Sequence, residues 1–427
     1  MIYSFKYGRD AMEFNLPPGI STVDVTPRMM LPLHDLRSAL YQTIQDPMGR
    51  PPLDVLARKS SSAMIVVEDS GYYTAYQKWL PDLLNYLNAA GIPDDAISIY
   101  IACGLKQPPD EYLRAEYYSA EVASRVTFIE HESTSEGRFS KCGRTDHGTI
   151  LCMDDRVHEA DLVILTGGIR LHPFCGFTGS HARLIPGCSS EDTIYNNQSK
   201  LWDKRSMDRH RHAHSGILLQ NPVNEDMLDA HSLFSPDFSI NVVINDDGEV
   251  VWMQGGDAGY ALRYGAKFIE EHNRVETRPV DIAIINAGGY PNDSSLYRAF
   301  ASLDHVSEVL KPGASVFWIA RCQSGEGHRD FCGLADLSVN SMREVINRRP
   351  TFAGVAALLL KQYAERYRIH LVSDLEPALV SRWGITPHAE LGRALSLGLP
   401  PHAEQLDWLI ASNTGNMLIK APAGVNA

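Results

Sequence analysis

Eight short apolar runs recur along the chain: SAMIVVED, AISIYIACG, RVTFIEH, ADLVILTGG, INVVIND, VDIAIINAGG, ASVFWIAR and YRIHLVSD. They are rich in β-branched residues and continuous rather than alternating, the mark of strands buried on both faces. Stretches of helical period lie between several of them. In YQKWLPDLLNYLNAAG, Leu80, Leu83, Leu84 and Leu87 share one face, and Gly91 is the expected stop. SLYRAFASLDHVSEVLKPG reads as another helix, ending at Gly313. Such strands and helices in alternation build a parallel sheet covered on both sides. The charged stretch EEHNRVETRPVD precedes a fresh strand. The chain therefore reads as two α/β domains, residues 1–270 and 271–427, with largely parallel sheets facing a cleft.

Composition narrows the function. With 427 residues, 44% hydrophobic and 21% charged, the chain can fill a core in each domain. A net charge of −13 leaves no basic excess to neutralise phosphate, which excludes a sequence-independent nucleic-acid binder. No apolar run reaches the length of a membrane span, and MIYSFKYGRDAMEF lacks the apolar centre of a signal peptide. The seven cysteines form no CxxC pair, as expected of free thiols in a reducing compartment. The expectation is a cytoplasmic protein with neither nucleic-acid nor membrane partners.

The strand ends carry the chemistry. In open α/β sheets, ligands bind beyond the carboxyl ends of the strands. Those ends here read Asp69-Ser70-Gly71-Tyr72, Cys103-Gly104-Leu105-Lys106, and Gly288-Gly289-Tyr290. A fourth runs from Gly167 through His172 into LHPFCGFTGSHARLIPG, with Gly176, Gly179 and Gly187 in quick succession. Each has an ordinary reading: Asp69 as a helix cap, the glycines as tight turns, Lys106 as a solvated lysine, His172 as a satisfied polar residue. Their joint placement at strand ends raises the functional one. Separately, His210, His212 and His214 would share a face on a strand and could meet a metal, whereas in a loop they are only basic and solvated.

Several blocks, in order, carry a family resemblance: VVEDSG; IACGLKQP; FIEHES; EADLVILTGGIRLHPFCGFTGSHARLIPG followed by EDTI; LLQNPVNEDMLDA; INVVINDDGEVVWMQGGD; and IINAGGYPNDSSLYRAFASLDH with LKPGASVFWIARCQSGEG. Through them the chain resembles the nickel-dependent lactate racemase family along essentially its whole length. The resemblance implies a nickel-pincer nucleotide as cofactor, a small-molecule 2-hydroxy acid as substrate, and cofactor-biosynthesis proteins as partners. The implied chemistry is removal of the hydroxyl proton by a base while the cofactor accepts the α-hydride and returns it to either face.

Carried onto this chain, the resemblance implies His172 and Lys106 as the catalytic pair, Lys106 standing where the family has a second histidine. A lysine base needs burial or a neighbouring cation to lower its pKa. Asp69 matches a strand-end aspartate. Tyr72 stands in place of an arginine, and Arg298 and Ala301 in place of a glutamine and a lysine. Tyr72 and Arg298 are the implied substrate-binding positions, Arg298 having the planar fork that suits a carboxylate. Asp69, Gly104, Gly176, Gly179, Ala182, Gly288 and Gly289 fall on the cofactor cradle. Ala182 stands where the tethering lysine belongs, between His181 and Arg183, which could contact a carboxylate or phosphate instead. A nickel-binding histidine falls on Gln198, leaving His172 and Gln198 as the metal positions. The implied protein is a divergent racemase or epimerase of a 2-hydroxy acid other than lactate, holding nickel and the nucleotide without a covalent bond. Two alternatives stand beside it: a pincer-free enzyme moving protons with Lys106 and His172, and a non-catalytic nucleotide- or acid-binding protein.

Overall fold

The computed structural model describes residues 2–134 and 138–422. The chain forms two compact units, both α/β: a middle unit of residues 29–200 and 212–269, and a terminal unit of residues 1–28, 201–211 and 270–427. A single cut at 270 thus separates most of the two, and residues 1–28 and 201–211 fold with the C-terminal part.

The middle unit's sheet runs, edge to edge, Val250–Gly256, Phe238–Ile244, Leu162–Gly168, Ala63–Glu68, Ile97–Ala102 and Thr127–Glu130. Only the Val250–Gly256 edge strand is antiparallel to its neighbour. Every residue of Ala63–Glu68 and Leu162–Gly168 is buried, as their unbroken apolar character predicts. The chain leaves Ala63–Glu68 toward one edge, then returns to lay Leu162–Gly168 on its other side. That reversal is the topological switch point, where a crevice opens beyond the strand ends. The helix Tyr76–Ala90 buries Tyr76, Trp79, Leu80, Leu83, Leu84 and Leu87 on one face. It stops at Gly91, whose φ of +109° admits the left-handed cap that a side chain would resist.

The terminal unit's sheet is parallel throughout, in the order Thr386–His388, Arg368–Val372, Leu310–Ile319, Val280–Asn286, Trp408–Ala411 and Thr22–Val25. Its own switch point lies between Val280–Asn286 and Trp408–Ala411. The helix expected to run to Gly313 is only Leu296–Asp304. Asp304 is held by Arg209 and Tyr363, and His305 Nδ1 donates to the Thr414 carbonyl, so the chain turns there. Gly313, at φ +78°, instead lies inside the strand Leu310–Ile319, where the register against Val280–Asn286 shifts.

All seven cysteines are free thiols. Among the described residues no helix is long and apolar enough to cross a membrane.

Candidate functional site

At the middle unit's switch point the strand Ala63–Glu68 ends in two acids with different roles. Glu68 is buried and receives a bidentate pair from Arg170, at 2.7 and 3.0 Å. Arg183 Nη2 donates to it at 3.1 Å and the Thr74 hydroxyl at 2.6 Å. Burial alone would raise the Glu68 pKa; the Arg170 and Arg183 charges outweigh it and hold the carboxyl down to about 2. Sequence reading passed over this centre. The available signals were a glutamate closing an otherwise apolar strand and an arginine two residues beyond the neighbouring one.

Asp69 turns the other way. Its Oδ1 accepts the Gly71 amide at 2.6 Å, a local turn, and its two oxygens accept Lys106 Nζ at 3.2 and 2.9 Å. Lys106 reaches it from the end of Ile97–Ala102, through a turn in which Gly104 takes φ +58°. Its side chain is 47% exposed. The Tyr72 ring lies beside this pair. Lys106 Nζ is 4.8 Å and Arg170 Cζ 4.5 Å from its centre, both within cation–π reach. Asp69, Tyr72 and Lys106 are therefore brought together, with Arg170 joining them to Glu68.

His172 stands on the short strand Arg170–His172, which pairs with Gly176–Thr178 across a tight turn. Its Nδ1 accepts the backbone amides of Phe174 and Cys175, each at 3.2 Å. The ring is thereby held by its own turn.

The glycines of this loop face protein. A Cβ on Gly176, at φ +80°, would lie 2.1 Å from the Ile217 carbonyl oxygen. One on Gly187 would lie 2.3 Å from the Arg183 carbonyl oxygen, and one on Gly179 3.0 Å from Asn241 Oδ1. Gly104 packs on Pro186, its amide donating to the Gly187 carbonyl at 3.2 Å. Packing of the chain on itself accounts for these residues without a ligand.

Ala182 sits in the turn Ser180–Arg183 and is 5% exposed. Its neighbours do not replace the missing amine: Arg183 is held to Glu68 through Nη2, and the His181 ring is fully buried. Neither His181 ring nitrogen makes a well-formed hydrogen bond, although Asn224 lies close; burial pushes its pKa down to about 3. Gln198 is the buried last residue of the helix Glu191–Gln198.

The remaining expected positions lie elsewhere. Gly288, Gly289 and Arg298 belong to the terminal unit. Gly288 is pressed against Asn413 at that unit's switch point, and Gly289 against Lys6. Arg298 is in the first turn of Leu296–Asp304, its Nε donating to the Pro291 carbonyl at 3.2 Å. The strand that would align His210, His212 and His214 ends at Arg209, so the shared face does not form. Among the described residues no group of three or more His, Cys, Asp or Glu is arranged to hold a metal ion.

Comparison with known proteins gives a consistent picture. Two family models match, the lactate racemase N-terminal domain over residues 7–209 and the lactate racemase C-terminal domain over residues 275–397. The lactate racemase of Lactiplantibacillus plantarum is 28% identical over 368 residues, 84% of either chain. That of Thermoanaerobacterium thermosaccharolyticum is 26% identical over 290 residues, 68% of this chain and 67% of the relative. In fold, the lactate racemase apoprotein from the latter organism superposes with a TM-score of 0.88 at 22% identity, covering 98% of this chain and all of the other. A Thermotoga maritima protein gives 0.67 at 12% identity, over 91% and 97% of the two chains.

Proposed function

The chain belongs to the lactate racemase family, and from that premise we propose that it is a racemase or epimerase of a 2-hydroxy acid, working at the switch point of the middle unit. The observation that carries the site is the Asp69–Lys106 pair. Two neighbouring parallel strands deliver an acid and a half-exposed amine to one point, 2.9 Å apart. In this reading Lys106 is the base: Asp69 holds the amine in place, the half-exposed amine gives up its proton to water, and the free amine then accepts one from the substrate. Tyr72 stands where the family places an arginine, which supports an acid other than lactate, with a side chain that can lie on the ring.

The family's nickel-pincer nucleotide is tethered through a lysine and bound through a histidine. Position 182 offers a buried methyl and position 198 an amide, a poorer nickel donor than imidazole. At His172 the Nδ1 lone pair is already engaged by two amides. These residues do not fit the cofactor as the family holds it, and the non-covalent form implied by the sequence is left with neither tether nor imidazole at 198.

The test is loss of optical purity, followed by chiral chromatography, across single-enantiomer 2-hydroxy acids labelled with deuterium at the α-carbon. The full chain is made both with and without the cofactor's biosynthetic proteins. At least one acid bulkier than lactate should equilibrate. Lys106→Met and Asp69→Asn should each lower turnover by about 10²–10⁴-fold. Wash-out of deuterium assigns inversion to proton transfer through Lys106. Retention assigns it to hydride transfer, with a nickel cofactor held by residues other than Ala182 and Gln198. Failure to racemise any acid in either preparation would sink the proposal.

A further inference from the structure

We infer that Arg170 receives the carboxylate of the acid that this site binds. The inference rests on the reading of the chain as a hydroxy-acid racemase and gives that reaction its anionic anchor.

The charges at the switch point do not balance. Among the described residues, its ion pairs join two carboxylates, Glu68 and Asp69, to three cations, Lys106, Arg170 and Arg183. Glu130, which ends the sheet's edge strand, and Asp154 do not make up the difference, since Arg114 and Arg156 already pair with them. One positive charge is in excess. It belongs to the group around Glu68, because Asp69 and Lys106 neutralise each other. An unbalanced charge held away from water is costly until a counter-ion reaches it.

One member of that group can be reached. The Arg183 side chain is 6% exposed and its Nε is buried without a partner, whereas the Arg170 side chain is 17% exposed. Gly168 makes the room for it: a Cβ there would collide with Arg170 Nη2, so the guanidinium folds back across the glycine onto Glu68. Nη1 and Nη2 donate to Glu68, and Nη2 also to Thr74 at 3.3 Å. The Arg170 Nε–H has no partner among the described residues, and it is not sealed as Arg183 Nε is. An arginine keeps its charge at any working pH, whereas Lys106 must surrender its proton to act as a base. The two cations therefore cannot exchange roles.

Their spacing suits the substrate. Lys106 Nζ and Arg170 Cζ lie over the same Tyr72 ring, 4.8 and 4.5 Å from its centre. They are no farther apart than those two distances laid end to end. A carboxylate and a hydroxyl on adjacent carbons, with a hydrogen bond of about 3 Å at either end, are of a length to bridge them. A carboxylate accepting from Arg170 Nε then leaves the hydroxyl toward Lys106, where the proton is taken.

Binding can be read without turnover. The probes are 2-hydroxy-2-methylpropanoate and 2-hydroxy-2-phenylpropanoate, which lack an α-hydrogen and so bind without reacting, each beside its neutral amide. The full chain is titrated at low salt by NMR. We expect at least one acid to bind about tenfold or more tightly than its amide. Arg170→Gln should abolish that preference. Glu68→Gln, which removes the competing carboxylate, should tighten the acid several-fold and leave the amide unchanged. No acid preference in the wild type, a preference that survives Arg170→Gln, or acid binding that Glu68→Gln does not tighten each overturns the inference. Should Arg170→Gln not fold, Glu68→Gln decides alone, because a guanidinium that serves only to neutralise Glu68 gives no reason for tighter acid binding. A protein that racemises nothing yet loses its acid preference with Arg170 would sink the proposed function and leave this inference standing. Racemisation at an unchanged KM in Arg170→Gln would do the reverse.

Discussion

Glu68 closes a strand of six buried residues and carries a charge that water never reaches. Two guanidinium groups make that tolerable, and neither can be removed without stranding its partners. Replacing Glu68 with alanine leaves the buried Arg183 and the partly buried Arg170 against no counter-charge, which should cost about 3–5 kcal/mol in a denaturant titration. The pH dependence has a definite sign. A carboxyl whose folded pKa is depressed contributes stability that is complete above its unfolded value, about 4.3, and is lost as pH falls toward its folded value of about 2. Between those limits the wild type should lose unfolding free energy more steeply than Glu68→Gln; parallel slopes would place the native proton elsewhere. Nothing in VVEDSG says which acid is structural and which faces the site. Adjacent strand residues point to opposite sides, but the sidedness becomes known only when Arg170 is seen to approach from the next strand.

At the scale of the elements, most of the architecture is legible and the glycine-rich loop is half legible. Unbroken apolar runs identify seven of the eight strands because burial on both faces demands them; the eighth, Thr127–Glu130, is an edge strand with no buried residue. The helix Tyr76–Ala90 follows from spacing and a glycine stop. In the loop after Leu162–Gly168 the glycines announce an unusual backbone, yet what lies opposite Gly176 and Gly179 is a carbonyl or side chain distant in sequence. Two glycines with positive φ separate the effects. Gly91→Ala meets nothing within 4 Å, so only the conformational strain is felt and the loss should be about 1 kcal/mol. Gly176→Ala combines φ +80° with a Cβ 2.1 Å from the Ile217 carbonyl oxygen, and should lose about 3 kcal/mol. Denaturant midpoints at unchanged slope give both values. Equal losses would show that the loop yields at Ile217. His172 belongs to this scale as well, because its ring caps the very turn that was expected to present it as a base.

For the molecule as a whole, the chain passes between its two units at 28/29, 200/201, 211/212 and 269/270. The insertion of 201–211 into the terminal unit is invisible in KRSMDRHRH, which reads as solvated charge. What fixes it is Arg209, its side chain 9% exposed and its Nη1 shared between both oxygens of Asp304 at 3.0 Å each, with Tyr363 on the same carboxylate at 2.6 Å. Arg209→Ala should destabilise the terminal unit by about 3–5 kcal/mol, read as earlier loss of hydrogen-exchange protection in Leu296–Asp304 while Ala63–Glu68 stays protected. The short strands Thr22–Val25 and Trp408–Ala411 are hidden for a related reason. They are brief, lie at opposite ends of the sequence, and acquire meaning only in the sheet, where Trp408–Ala411 pairs with Val280–Asn286 on one side and Thr22–Val25 on the other.

Position 182 also limits what the whole chain can carry. A covalent tether there requires a side-chain nucleophile, and alanine has none. Protein produced alongside the cofactor's biosynthetic proteins should therefore return, after denaturation, to its bare mass of 47.4 kDa. Nickel and an added mass seen only under native conditions would mean that the middle unit grips a nucleotide by shape and charge, despite the engagement of Arg170 and Arg183 with Glu68. Bare protein in both spectra, together with racemisation and α-deuterium wash-out, would mean that this branch of the family has kept the switch point and its acid–amine pair while giving up the metal. An adduct that survives denaturation would contradict the residue at 182, and mapping its attachment would reveal which other nucleophile the fold brings to the same turn.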